Sequence, residues 1–203
     1  MTVYELAEVM KKRGYLARAF ATADEAKKAA IEILSDCATI GKGGSATLKE
    51  TGIWDWLITS GKEIYALSLA GKLGKTEKEI MKLGMTADAY ICSANAVTEK
   101  GDIINIDGRG NRVAATICGP DKVVFVIGRN KITSNPHTAI ARIKSVACPK
   151  NGARLHKTTP CALTGKCANC DDPGRMCNVT VRMEYPPKGR EYHVLLIDGD
   201  YGY

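Results

Sequence analysis

The runs KVVFVI (residues 122–127) and HVLLI (193–197) are apolar at almost every position, with no polar alternation. Runs of this kind read as β-strands. Asp88–Cys92 and Glu63–Leu67 read the same way, and Cys37–Ile40 is a shorter run of the kind. Amphipathic stretches alternate with them. Val3, Leu6, Ala7, Met10 and Tyr15 place a helix over residues 3–19. Thr22 with Glu25 three residues on opens a second, and an amphipathic stretch runs to about Ser60. Thr76–Leu83 forms a further helix, and so does Pro136–Val146, where Asn135 is the cap. Val179–Glu184 and His193–Ile197 are the last strands. This order specifies an α/β fold, three-layer α/β/α around a largely parallel central sheet. The 203 residues are read as one domain, 1–203, with a cysteine-rich segment over 148–180 inside it.

No apolar run approaches the ~20 residues of a membrane helix, and the N-terminus lacks the apolar core of a secretory signal. The expectation is a cytoplasmic protein with reduced thiols and no membrane partner. The formal net charge is +7. Between Lys122 and Cys170 nine Lys and Arg residues occur with no Asp or Glu, a field suited to an anion. The segment has few aromatics for base stacking and carries no nucleic-acid motif, so a nucleic-acid partner is the less favoured reading.

Three stretches carry chemistry. In TIGKGGSATLKETG, residues 39–52, a buried strand ends in glycines before a helix begins. Gly43 and Gly44 allow close backbone approach, Ser45 and Thr47 supply hydroxyls, and the helix dipole favours phosphate or carboxylate. The P-loop and GxGxxG patterns are both absent. The second stretch, residues 93–115, follows the strand Asp88–Cys92, where α/β sheets bind ligands. It packs Asn95, Thr98, Glu99, Asp107, Asn111 and Arg112 between glycines. Glu99 or Asp107 is the candidate general acid or base, and Arg112 the candidate carboxylate clamp. Each stretch also reads as turns and caps alone.

The third stretch spaces Cys161, Cys167, Cys170 and Cys177 as C-x5-C-x2-C-x6-C. Four thiolates form a soft site, and with only one CxxC pair the wrap is closer to iron–sulfur ligation, a 4Fe–4S cluster, than to a zinc ribbon; zinc is the alternative. The acid-free basic run would offset the cluster's negative charge. Cys37, Cys92, Cys118 and Cys148 read as buried small hydrophobes.

Together, GKGGSATL (41–48), NAVTE (95–99) with Gly101, DGRGNR (107–112), Gly119-Pro120 and Asn130-Lys131 resemble the LUD-domain (lactate utilisation) family over nearly the whole chain. The resemblance implies a fold like the isomerase and CoA-transferase superfamily, with ligand sites at the strand ends, and adds Lys131 to the ligand-binding candidates. It also implies a link to oxidation of lactate or a related 2-hydroxy acid. The expected protein binds a small anionic metabolite, carries an iron–sulfur centre and exchanges electrons with a redox partner. A sugar-phosphate-type isomerase or transferase with structural zinc is the alternative, and a basic nucleic-acid-binding regulator a third.

Overall fold

The computed structural model describes residues 1–203. Six strands form a wholly parallel sheet in the order β1 (Leu16–Phe20), β10 (Glu191–Ile197), β7 (Lys122–Gly128), β4 (Ala89–Cys92), β2 (Thr39–Lys42) and β3 (Glu63–Tyr65). Strand β7 explains why the apolar runs do not alternate. Val123, Phe125 and Ile127 enter the core on one face, and Val124 and Val126 enter the core on the other.

Helix α1 (Val3–Lys12) covers the first face through Val3, Leu6 and Met10, joined by Ala115 of α6 (Asn111–Cys118). Helices α2 (Ala23–Ile33), α3 (Ala46–Glu50) and α4 (Ile53–Thr59) cover the second through Ala26, Ala30, Leu48, Ile53 and Leu57. Capping boxes at Thr2/Glu5 and Thr22/Glu25 start α1 and α2, and Thr76/Glu79 starts α5 (Glu77–Met85).

A second sheet of β8 (Ile132–Thr133), β5 (Ala96–Thr98), β6 (Ile103–Asp107) and β9 (Val179–Met183) stands beside the first. Ala96, Ile104 and Ile106 pack under Ala139, Ile143 and Ala147 of a long helical rod. The rod runs through α7 (Pro136–Arg142), a π-helical turn (Ile143–Ala147) and α8 (Cys148–Arg154). Pro149 accounts for the wide turn. It has no N–H to donate, and its ring would strike the carbonyl four residues back in a regular α-helix.

The structure departs from the sequence expectations at several elements. Residues 3–19 are not one helix. Gly14 takes φ +94°, which ends the helical path, and Leu16–Phe20 then forms the edge strand β1. The amphipathic stretch to Ser60 is divided at Gly52, with φ +66°, into α3 and α4. The Glu63–Leu67 strand stops at Tyr65, before a 3-10 turn at Leu67–Leu69. Strand β9 joins the second sheet, antiparallel to β6, and not the central one.

Candidate functional site

Strand β2 leads through α3 and α4 to β3 on one side, whereas β4 leads through β5, β6 and α6 to β7 on the other. The covering helices lie on opposite faces. The connections leaving the carboxyl ends of β2 and β4 therefore run apart, and such a switch point is where open α/β sheets present a crevice to ligands.

Gly43 and Gly44 lie at the end of β2. A Cβ on Gly43 would sit 3.2 Å from both Arg112 Cγ and the Tyr90 hydroxyl, so the glycine lets the strand end lie against the arginine stem. At Gly44 the same atom would meet nothing within 4 Å, so this position faces open space. Ser45 accepts the Leu48 N–H at 3.2 Å as the N-cap of α3. That helix has only five residues, so its dipole is weaker than the sequence suggests.

Thr47 is buried. Its Oγ1 accepts from Lys131 Nζ at 2.7 Å, and the same ammonium donates to Ser93 Oγ at 2.9 Å. Lys131 is 3% exposed, and its hydrogen bonds go to these hydroxyls rather than to a carboxylate. Burial, then the charges of Arg142 and Arg112, bring its pKa down to about 7 against a weaker opposing pull from Glu50. Lys42, the last residue of β2, stands over the Trp54 ring at 4.1 Å, with its pKa lowered to about 8 by burial and by Arg154. Arg142 Nε and Nη1 donate to the carbonyls of Asn130 and Asn95, each at 2.8 Å. The crevice is thus cationic.

The C-terminal residues cross this site. The Thr47 hydroxyl donates to the Tyr201 carbonyl at 3.2 Å, and Gly202 N–H donates to Glu50 at 2.6 Å. A Cβ on Gly202 would lie 3.1 Å from Lys131 Nζ, so the tail backbone lies directly over the ammonium.

Arg112 has a different role from the one its sequence position suggests. Its Nε donates to Asp107 Oδ1 at 2.9 Å. Nη1 donates to Asn105 Oδ1 and the Ser93 carbonyl, and Nη2 to Asn95 Oδ1, the Ile106 carbonyl and Asp107. All five guanidinium protons are engaged within the protein. Asp107 Oδ2 accepts the Val113 N–H, so the carboxylate also caps the first turn of α6. Arg112 and Asp107 form a buried hub that fixes the crevice wall.

The remaining candidates separate. Asn111 lies beside Lys42, Tyr65 and Tyr90 in a small cleft. Thr98 closes the β5–β6 hairpin by accepting the Asp102 N–H at 3.0 Å. Glu99, at the far end of that hairpin, is 42% exposed and pairs with the N-terminal amine at 3.6 Å. Strand β5 carries it away from Asp107, so the two carboxylates do not face one another. Sequence reasoning missed Ser93, Asn105, Arg142 and the tail. Of these only Ser93, directly after β4, carried a positional signal.

All eight cysteines are free thiols. Cys37 and Cys92 are buried as expected, and burial pushes the Cys92 thiol up to about 12. Cys118 is exposed at the end of α6, contrary to its apolar setting in sequence, because it lies on the helix's outer side. Cys161 opens α9 (Pro160–Thr164), with the Thr159 hydroxyl 3.6 Å from its sulfur. The Asn169 N–H donates to Cys167 Sγ at 3.4 Å. Arg175 grips the carbonyls of Cys170 and Cys177 at 2.6 and 3.3 Å. No three His, Cys, Asp or Glu side chains stand together at metal-ligand distance. The four sulfurs are soft donors by type, and one of them, Cys167 Sγ, accepts a backbone N–H.

The acid-free run is not one solvated face. Lys122 pairs with Asp36 at 2.7 Å, Arg129 with Asp198 and Asp200, and Lys131 is buried. No helix is long and apolar enough to cross a membrane.

A DUF162 family protein from Deinococcus radiodurans has a similar structure, with a TM-score of 0.54 at 13% identity over 97% of this chain and 99% of that one. At that identity the likeness concerns the fold. Ribose 5-phosphate isomerase from Plasmodium falciparum overlaps less, with a TM-score of 0.31 at 17% identity over 56% of this chain and 55% of the other. No curated protein matches the sequence. The model of the LUD domain matches residues 3–197, and the chain belongs to the LUD-domain family, which is related to lactate utilisation.

Proposed function

We propose that the protein binds a small carboxylate of the lactate or 2-oxo acid class in the crevice between β2 and β4. We further propose that it serves oxidation of that acid through a thiolate-bound iron–sulfur centre in its cysteine segment. The observation that carries the reading is Lys131, a buried ammonium hydrogen-bonded to two hydroxyls at the carboxyl end of the sheet. A buried cation without a bonded counter-charge is costly, and an anionic ligand offsets that cost. Binding the anion would also draw the Lys131 pKa back up. Thr47 and Ser93 orient the ammonium, while Gly44 leaves backbone space beside it.

Cys161, Cys167, Cys170 and Cys177 are the expected cluster ligands. When bound, an iron–sulfur cluster supplies one-electron transfer. The rod joins the two regions. Arg142 lies at the crevice and Cys148 six residues on, about 9 Å along a helix axis at the usual rise. The cytoplasm, with reduced thiols, is the proposed compartment, and a protein redox partner would take the electrons.

The isomerase reading requires a free acid–base pair. Asp107 is held by Arg112 and α6, and Glu99 is remote from it, so the geometry favours the first reading.

Calorimetric titration with lactate, pyruvate and inorganic phosphate tests the anion site. The expected result is saturable binding of a carboxylate that the Lys131→Met variant loses. Absence of heat with every anion at millimolar concentration in the wild-type protein overturns it.

A further inference from the structure

Lys131 Nζ donates to Thr47 Oγ1 and to Ser93 Oγ and makes no other hydrogen bond or ion pair. Each hydroxyl turns its own proton away from the nitrogen. Thr47 donates to the Tyr201 carbonyl at 3.2 Å, and Ser93 to the Ala94 carbonyl at 3.3 Å. Both therefore meet the nitrogen with lone pairs. Two donated protons are the full complement of a neutral amine, whereas an ammonium carries a third. Beside the nitrogen lies the Gly202 backbone, where a Cβ would stand 3.1 Å from it. Cations brace the surrounding chain. Arg142 donates to the carbonyl of Asn130, the residue before Lys131, and Arg112 donates to the carbonyl of Ser93. Burial beside other cations keeps a lysine amine unprotonated and nucleophilic near neutrality, in keeping with the Lys131 pKa of about 7.

We propose that Lys131 is a covalent nucleophile that takes the ketone carbon of a 2-oxo acid as a Schiff base. The inference rests on the crevice being the carboxylate site and deepens it, because it selects a 2-oxo acid over a 2-hydroxy acid, which has no ketone to attack. The Nζ lone pair forms the C–N bond. The ketone oxygen takes a proton from the nitrogen, and the Thr47 and Ser93 hydroxyls, both bonded to that nitrogen, are placed to pass it on. A proton from solvent then joins the new hydroxyl, water leaves and the C=N bond forms. The product is an iminium that keeps one proton and the positive charge on nitrogen. The acid's own carboxylate is attached to the iminium carbon, so the buried cation gains the counter-charge it lacks in the free protein. The tail backbone lies over the amine, so the acid enters as residues 201–202 move aside.

The test treats the full chain with pyruvate and sodium cyanoborohydride, which reduces iminium ions, at a pH above the Lys131 pKa of about 7. The expected product is a single covalent adduct, heavier than the protein by one pyruvic acid less one oxygen atom, that peptide mass mapping places on Lys131. Lactate under the same conditions should give none. Exposed Lys72 is the internal reference for chance labelling. Lys131→Arg keeps the charge and cannot form the imine, so it should still give heat with pyruvate in calorimetry while the adduct is lost. The mapping is made on the wild-type chain and stands whether or not that variant folds. Saturable pyruvate binding with no adduct on Lys131, or labelling of Lys131 no faster than of Lys72, overturns the inference and leaves the carboxylate site standing. A wild-type protein that gives neither heat nor adduct removes the site, and the inference with it.

Discussion

Asn178 donates its backbone N–H to the Asp107 carbonyl at 3.0 Å, directly after Cys177. Its side chain reaches the Gly108 carbonyl at the same distance. The residue whose carboxylate holds Arg112 at the crevice wall thus also anchors the end of the cysteine segment.

Asp107→Ala leaves a buried guanidinium without its carboxylate and removes the cap of α6. Breaking a buried pair from one side costs about 3–5 kcal/mol. The expected outcome is a loss of that size in urea unfolding. A loss below about 1 kcal/mol, the scale of a surface pair, would show that Arg112 is supported without Asp107.

Lys131 has a signature in pH. Its folded-state pKa lies near 7, below the ordinary lysine value of about 10.4. Between those values the unfolded chain holds a proton that the folded chain has released, so the contribution to stability rises with pH across that window. Below pH 7 the residue is charged in both states and its burial is a fixed cost. Lys131→Met should remove the rise and stabilise the protein at pH 6 by about 1–3 kcal/mol. Unfolding curves at pH 6, 8 and 10 check this, and parallel profiles for the two proteins would contradict it.

Gly202 covers Lys131 with backbone at φ +66°, where a Cβ would lie against Thr47 Oγ1. Gly202→Ala should lift the tail from the site. The expected readout is faster amide exchange at residues 200–202 together with tighter carboxylate binding. Tighter binding without faster exchange would detach the ligand site from the tail.

Gly41 brings β2 against α5. A Cβ there would lie 2.6 Å from both the Gly84 carbonyl oxygen and Tyr90 Cδ2. Overpacking of this kind costs about 1–3 kcal/mol. Gly41→Ala should lower the thermal midpoint, whereas Gly44→Ala, with open space around it, should leave it nearly unchanged.

The readable parts of this fold are those decided locally. The runs of β7 and β10 declare themselves strands in their own residues, and Thr22 and Asn135 declare the caps they become. Residues 3–19 misled because Tyr15 continues the helical spacing of α1 although Gly14 has already ended it. The polar residues of 93–112 were visible as a cluster. Their partition was not, because hub and hairpin tip differ only in which partners the folded chain brings to them. Lys131 meets Thr47 across 84 positions and Ser93 across 38, distances at which spacing carries no information.

The π turn at Ile143–Ala147 sets an angle as well as a width. A helix advances about 100° per residue, so one added residue in a turn rotates everything beyond it by that amount relative to everything before. Arg142 lies on one side of the turn, directed at Asn95 and Asn130, and Gly152 lies on the other, against Ala162 of α9. Were the rod regular throughout, one of these two headings would be lost. The wide turn acts as a phase offset that lets a single rod address the crevice and α9 at once, and Pro149 keeps it from relaxing back.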